Sequence, residues 1–350
     1  MKSVETHVAG DPLGTHRVIQ PSGAMPQMAW KLDNDVSRLY SNEIVLDVEA
    51  LSIDAASFRQ IEMSSGGDES AIVRAITRTI ASRGKQHNPV TGSGGVLMGK
   101  VSAVGPAAPT APKIGERLVS LASLTGTPLR LDKVKKVHRA AGQLEIKGQA
   151  VIFESYPYAR VPSEVAPRLA LAALSVCAAP ALAARLVSAG QNVLIFGAGG
   201  KSGVLCAYAV RERIGSEARL VGVELSEQAA AQLRALEVCN EVIVGDASDS
   251  LTGRELAARV GMQAPFDVTL SCVNAGEVEM SAILATRPGG QVCFFSSQTS
   301  FTRAVYSAQA ASKDLDLRMG GHYVQGQADL ALRILQECPA IRNLFTERYL

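Results

Sequence analysis

The run Gly197-Ala-Gly-Gly-Lys-Ser-Gly203 is the densest chemical signal in this 350-residue sequence. It follows the apolar stretch Asn192-Val-Leu-Ile-Phe196 and opens a segment with helical periodicity. In that strand–turn–helix setting a glycine run reads as a phosphate cradle. Gly197 permits the tight turn, Gly199 or Gly200 lets the backbone approach a pyrophosphate, and Gly203 lets the helix pack on the strand. Backbone N–H groups and the positive end of the helix dipole then face the phosphates. Lys201 and Ser202 complete the candidate cofactor-binding loop. About 20 residues further on, Glu224 ends the next strand, where a carboxylate receives hydrogen bonds from the adenosine ribose. This favours NAD over NADP, whose 2′-phosphate would meet like charge; Lys201 argues the other way. Asn274 and Ser296 follow two later strands, at the carboxyl edge where ligands of open α/β sheets bind, though each reads equally well as a turn residue.

Metal chemistry has no foothold in the residue spacing. Cysteines 177, 206, 239, 272, 293 and 338 are scattered, with no C-x-x-C pair and no Cys/His cluster, so neither a structural zinc site nor a disulfide framework is expected. His7, His16, His87, His138 and His322 show no ligand spacing and no nucleophile–His–acid pattern. All five read as satisfied structural histidines, with His87 alone lying beside a candidate site loop.

The elements that position these residues change character near residue 160. Before it, short β-rich runs at 43–53, 96–104, 117–121 and 150–153 are separated by turn residues, the pattern of a small barrel or folded sheet. One helix interrupts them at 70–82, with Ile72, Val73, Ile76 and Ile80 on one face and Arg74, Arg78 and Arg83 on a solvated one. After 160, apolar strands alternate strictly with helices, which implies a parallel sheet covered on both faces.

Composition agrees with a soluble two-domain chain. Charge balances at 35 basic against 33 acidic residues, and 47% of residues are hydrophobic. That excludes a disordered or collagen-like chain and makes a nucleic-acid partner improbable. The first 20 residues are polar and do not read as a signal peptide. The alanine-rich stretch 169–187, broken by Pro180 and Arg185, falls short of the about 20 strongly apolar residues a membrane span needs. A cytoplasmic protein with reduced thiols and no membrane association is the expectation.

A barrel-like first part followed by a helix, 169–187, and a dinucleotide fold resembles the medium-chain dehydrogenase/reductase superfamily. Gly99-x-Val-x-x-Val-Gly105 and Ile114-Gly-Glu-Arg-Leu118 carry the likeness through the first part. The resemblance implies an α/β fold: a GroES-like, β-rich, partly open barrel over 1–160, joined by 340–350, and a Rossmann-type doubly wound parallel sheet over 161–339. Zinc-using members carry a Cys where this sequence has Asp54 and a Gly-His-Glu where it has Gly94-Gly-Val96, so a zinc-free member is implied, with no metal.

Within the superfamily, several long runs are similar to the L-erythro-3,5-diaminohexanoate dehydrogenase family. These are Gly14-Thr-His-Arg-Val-Ile19, Trp30-Lys-Leu-Asp-Asn-Asp35, Arg83-Gly-Lys-Gln-His-Asn-Pro-Val-Thr-Gly-Ser-Gly-Gly95, Thr127-Pro-Leu-Arg130, 146–155 and 294–301. The resemblance implies NAD-dependent oxidative deamination of a small diamino acid, with ammonia released, in anaerobic lysine fermentation. It also implies a homodimer or homotetramer, with 315–319 as the pairing edge strand.

That chemistry assigns roles by resemblance. Hydride leaves C3 only when its amine is neutral, and amines of this kind titrate near about 10, so a base is needed. Asp54 is the first candidate for it, standing where the superfamily pattern faces the nicotinamide; an Asp turning the chain at a strand end is the plainer reading. Arg59 is the candidate for the substrate carboxylate, with Arg130 behind it. Ser57, Thr91 and Ser93 are candidates to hydrogen-bond substrate or the attacking water, or else to cap a glycine-rich turn. Glu154 ranks below Asp54 as a carboxylate for the second ammonium. Two other functions fit the same fold: a zinc-free quinone or enone reductase, and a catalytically silent nucleotide-binding protein.

Overall fold

The computed structural model describes residues 8–108, 112–296, 298–320 and 322–350. These form two compact units divided between Ser175 and Val176, with Arg348–Leu350 belonging to the first.

In the first unit, a two-stranded ribbon, β1 (Val18–Gln20) and β2 (Lys31–Leu32), precedes an antiparallel sheet. Its strands are β3 (Ile44–Ile53), β4 (Gly95–Val104), β5 (Arg117–Ser120), β6 (Leu129–His138), β7 (Gln143–Ile152) and β8 (Tyr158–Arg160), in the spatial order β6-β7-β3-β4-β5-β8. The end strands are not neighbours, so the sheet stays open. Between β3 and β4 lie two helices, α1 (Ala55–Ser64) and α2 (Glu69–Arg83). Sequence periodicity finds α2 and misses α1, which follows β3 with only Asp54 between them. The core joins Leu46, Leu51, Leu97, Leu144 and Ile146 of the sheet to Ile72, Ile76 and Ile80 of α2. One face of α2 departs from expectation. Arg74 and Arg78 are exposed, but Arg83 is buried, its guanidinium 3.8 Å from the Trp30 ring centroid and bonded to the His87 carbonyl.

The helix expected at 169–187 is two helices, α3 (Pro167–Leu174) and α4 (Ala178–Leu186). Pro180 has no N–H to give and its ring crowds the carbonyl four residues earlier, so a helix running through 175–177 is broken there. The division of units falls in this break rather than near 160. Helix α3 stays with the first unit because Arg168 and Gln143 of β7 exchange hydrogen bonds of 3.2 and 3.3 Å. Arg168 also holds the carbonyls of Tyr349 and Leu350, so of residues 340–350 only the last three belong with it.

The second unit is an α/β layer structure. Six parallel strands are β9 (Val193–Phe196), β10 (Leu220–Glu224), β11 (Glu241–Val244), β12 (Phe266–Ser271), β13 (Thr286–Phe294) and β14 (Asp316–Met319), in the order β11-β10-β9-β12-β13-β14. The helices between them are α5 (Lys201–Ile214), α6 (Glu227–Arg234), α7 (Ser250–Arg259), α8 (Glu279–Ala285) and α9 (Phe301–Ala310), followed by α10 (Gln327–Glu337) and α11 (Pro339–Tyr349). Strand β9 is buried along its whole length, as a central parallel strand covered on both faces must be. The chain direction across the sheet reverses between β9 and β12, the switch point at whose carboxyl edge such sheets bind ligands. Among the described residues no single helix is long and apolar enough to cross a membrane.

Candidate active site

Each unit carries one part of the candidate machinery. In the second, the glycine loop leaves β9 and turns at Gly197, whose φ of +70° is a left-handed conformation that favours glycine. Gly200 then serves as the N-cap of α5. A Cβ on Gly203 would lie 2.1 Å from the Gly197 carbonyl oxygen and 2.6 Å from Ala198 backbone atoms. This glycine is what lets the helix start so close under the turn. Lys201 and Ser202 form the first residues of α5 and are half-buried, while Gly200 is exposed. The residues present fit a nucleotide pyrophosphate: a tight turn, little side-chain bulk, and a helix N-terminus whose first N–H groups lack helical partners.

Glu224 ends β10 and reaches this loop. Its Oε1 accepts a hydrogen bond of 2.5 Å from the Gly199 N–H. The carboxylate therefore sits against the cradle, where an adenosine ribose is received in folds of this order. Asn274 and Ser296 are brought together: the Ser296 hydroxyl donates to Asn274 Oδ1 at 3.0 Å. Ser296 also accepts from the Gln298 N–H, so the two residues brace the loops after β12 and β13. Ser297, inside one of the resemblance runs, lies outside the described residues.

In the first unit, α1 starts directly after β3, with Asp54 as its N-cap residue, half-buried and with no side-chain capping bond. Ser57, one turn along, is fully buried. Its hydroxyl lies 2.5 Å from both the Thr91 and the Ser93 hydroxyls, which are 3.3 Å from each other. Three hydroxyls from two segments thus converge beside the helix that begins with Asp54. Asn88 holds them there, a residue the sequence reading missed. Its Oδ1 accepts from the Val90 and Thr91 N–H groups, and its Nδ2 donates to the Ser57 carbonyl and to Gln60 Oε1. An Asn followed by Pro in a glycine-rich run was the available signal, since Asn side chains tie such turns to themselves.

The remaining candidates do not join the hydroxyl cluster. Arg59 is exposed on α1. Arg130 is engaged by Asp132 and Gln149 on the sheet surface, and Glu154 accepts from the Asn42 amide at 2.8 Å.

The histidines are not uniformly satisfied. His16 and His138 meet Glu43 and Glu145 at 2.8 and 2.6 Å, and His322 is exposed. His16 Nδ1 and His87 Nδ1 are, however, both buried with no partner. At His87, burial first, then the charges of Lys85 and Arg83, lower the pKa to about 4. His7 lies outside the described residues.

Lys85, which the sequence reading passed over, is fully buried, donating to the Pro26 and Gln27 carbonyls. Burial, with help from Arg83, brings it down to about 8. Among the described residues no group of three or more His, Cys, Asp or Glu is arranged to hold a metal ion.

Comparison with known proteins bears on both units. Residues 16–162 match a family model described as the L-erythro-3,5-diaminohexanoate dehydrogenase N-terminal domain. The chain is 41% identical over 343 residues to the L-erythro-3,5-diaminohexanoate dehydrogenase of Acetoanaerobium sticklandii, covering 97% of this chain and 99% of that one. It is 40% identical, with the same coverage, to the enzyme of that name from Fusobacterium nucleatum subsp. nucleatum. Among solved structures, CurK enoyl reductase is similar with a TM-score of 0.54 at 15% identity, over 88% of this chain and 78% of that one. A Pseudomonas syringae quinone oxidoreductase also gives 0.54, at 17% identity, over 85% and 81%. Those two likenesses establish the medium-chain dehydrogenase/reductase fold alone. The near-full-length identities go further: this chain is an oxidoreductase with a nicotinamide cofactor and belongs to the L-erythro-3,5-diaminohexanoate dehydrogenase family.

Proposed function

We propose that the protein catalyses NAD-dependent oxidative deamination of L-erythro-3,5-diaminohexanoate to 5-amino-3-oxohexanoate, releasing ammonia. The observation that carries this reading is the identity of about 40% to enzymes of that name, which runs through both units. Bound at the glycine loop, the nicotinamide cofactor would supply the hydride acceptor. Gly197, Gly199, Gly200 and Gly203 would hold its pyrophosphate, with Lys201 and Ser202 opening the helix beside it and Asn274 and Ser296 bracing the sheet edge. Glu224 supports NAD over NADP, because a 2′-phosphate beside a carboxylate held at the loop meets like charge.

The substrate chemistry falls to the first unit. At pH 7 only about 1 in 1,000 of an amine with a pKa near 10 is neutral. Asp54 binds the C3 ammonium and takes its proton, freeing the lone pair that forms the iminium as hydride departs. Water then adds to C3, and ammonia leaves. Arg59 meets the substrate carboxylate as a fork of donors. Ser57, Thr91 and Ser93 bind the substrate near Asp54. The substrate is a freely diffusing diamino acid of the cytoplasm, and β14, an outer strand of its sheet, offers an edge for pairing in a homodimer or homotetramer.

NADH formation from the diamine tests the reading directly, beside β-lysine and a quinone as controls. Asp54→Asn lowers kcat by about 10²–10⁴-fold, the range for a lost general base, and leaves NADH affinity unchanged. Wild-type turnover in that variant overturns the role of Asp54. Quinone reduction without diamine oxidation overturns the reaction.

A further inference from the structure

The three hydroxyls at Ser57, Thr91 and Ser93 have a proton inventory that selects their ligand. Each carries one O–H and two lone pairs. With Ser57 Oγ at 2.5 Å from both partners, at least two of the three protons are consumed inside the cluster. Closing the 3.3 Å Thr91–Ser93 contact consumes the third. Thr91 Oγ1 also accepts from the Ser93 N–H. With the ring closed, one lone pair remains on Ser57, which is fully buried, and one on the half-buried Ser93, which presents it outward, and no arrangement leaves more than one donor. Such a cluster suits an N–H donor and is poorly matched to a carboxylate.

We propose that the Ser57–Thr91–Ser93 hydroxyl cluster is the receptor for the C5 ammonium, the amine that is retained, and so sets the enzyme's preference for a 3,5-diamine. The inference rests on the substrate reading above. The two amines of that substrate need opposite treatment. The C3 ammonium must lose a proton, which requires a group that titrates, and Asp54 is such a group. The C5 ammonium must keep its charge, and neutral hydroxyls hold a cation without becoming its base.

Spacing supports the division. Asp54 is the N-cap of α1 and Ser57 lies in its first turn, so the two are separated by no more than roughly one helical turn, about 5.4 Å. The amines sit on carbons two bonds apart. The positive end of the helix dipole opposes a cation here, and the Asp54 carboxylate offsets it. Thr91 and Ser93 are half-buried, leaving the cluster reachable from outside, while the four hydrogen bonds of buried Asn88 fix it before substrate arrives.

Two truncated analogues separate the amines: 5-aminohexanoate, which lacks the C3 nitrogen, and 3-aminohexanoate, which lacks the C5 nitrogen. Their Kd values are measured by calorimetry on the full chain saturated with NADH, so no turnover is needed. In Ser93→Ala, which removes the outward acceptor, and in Thr91→Val, which opens the hydroxyl ring that orients it, the Kd of 5-aminohexanoate rises about tenfold to 100-fold, the range for a hydrogen bond to a charged group. That of 3-aminohexanoate stays within about twofold. Thr91→Ser, which keeps the hydroxyl, restores wild-type affinity and shows that lost chemistry rather than lost packing is being read. Equal weakening of both analogues overturns the proposal, since the cluster would then touch a feature they share. So does an unchanged affinity for 5-aminohexanoate, or a wild type that binds neither. A wild type that forms no NADH from the diamine sinks the parent reading instead, and the two analogue affinities still decide the cluster.

Discussion

The glycine cradle of the second unit and the hydroxyl cluster of the first are built from different parts of the chain. The cradle uses seven consecutive residues, and what recommends it is backbone: a left-handed turn at Gly197, a helix start at Lys201, and no Cβ where Gly203 passes under Gly197. The cluster uses side chains 34 and 36 residues apart in sequence. Asn88, also a side chain, joins their loops. A site made of backbone is sensitive to added volume and indifferent to most side-chain chemistry. A site made of side chains is sensitive to a single lost polar atom.

The largest break follows from adding volume to the cradle. Gly203→Val places side-chain carbons against backbone atoms that have no room to give, at 2.1 and 2.6 Å from the new Cβ. Overpacking of this kind costs about 1–3 kcal/mol, and the loop that holds the nucleotide is what must shift. NADH affinity is expected to fall by more than about 100-fold, about 2.7 kcal/mol or more. Gly200→Ala is the internal control, because its new Cβ would meet only the Gly197 oxygen, at 3.5 Å. Titration with NADH and a thermal melt read both variants. Equal affinity in Gly203→Val and Gly200→Ala would refute the account of the cradle.

The converse break removes polarity from the first unit without adding volume. Asn88→Ala deletes a side chain that makes four hydrogen bonds and is 1% exposed. Groups left unpaired in a buried setting cost about 1–3 kcal/mol, and a total of about 2–3 kcal/mol is expected by urea denaturation. The KM for the diamine should rise with it, while NADH affinity stays at the wild-type value. A fall in NADH affinity as large as the rise in KM would show that the two sites are not distinct in the way described.

The same contrast explains what the sequence disclosed. The cradle was legible because a glycine run between an apolar strand and a helix is a local pattern, and Glu224 follows at a fixed interval. The strict alternation of apolar strands with helices disclosed the parallel sheet itself, though not its strand order. Strand β6 was not legible, since half of Leu129-Arg-Leu-Asp-Lys-Val-Lys-Lys-Val-His138 is exposed and charged. It is an end strand of its sheet, and lysines on such a strand discourage pairing with other chains, at the expense of the apolar alternation that marks a strand. Helix α1 was hidden by starting without a turn, and the break between α3 and α4 by an alanine run that reads as one helix. Ser57, Thr91 and Ser93 were found as residue types, but their convergence depends on Asn88 and on the pairing of β3 with β4. No local pattern carries that information.

Glu224 stands between the two kinds of site, as a side chain that completes a backbone cradle. Its bond to the Gly199 N–H predicts that Glu224→Ser weakens NAD binding by about tenfold, one hydrogen bond to a charged group. The same change relaxes discrimination against NADP. The ratio of the two Kd values is the measurement, and an unchanged ratio would remove Glu224 from the specificity argument.

The smallest effect tests whether the polarity around the cluster is tuned or incidental. His87 adjoins Asn88, its Nδ1 is buried without a partner, and its pKa is lowered to about 4 by burial and by the charges of Lys85 and Arg83. An unfolded histidine titrates near about 6.5, so between those values the unfolded chain binds the proton and the folded chain does not. Stability held above about pH 6.5 is therefore lost as pH falls toward about 4, with proton uptake on unfolding approaching one. His87→Gln, which cannot titrate, should lose less stability than wild type over that interval, so the two curves of unfolding free energy against pH converge or cross on acidification. Above pH 7 they should run parallel, because neither side chain changes charge there. Curves that stay parallel from pH 7 to pH 4 would mean that His87 is protonated as readily in the folded chain as in the unfolded one. The buried cations beside it would then have no bearing on the loop that Asn88 secures.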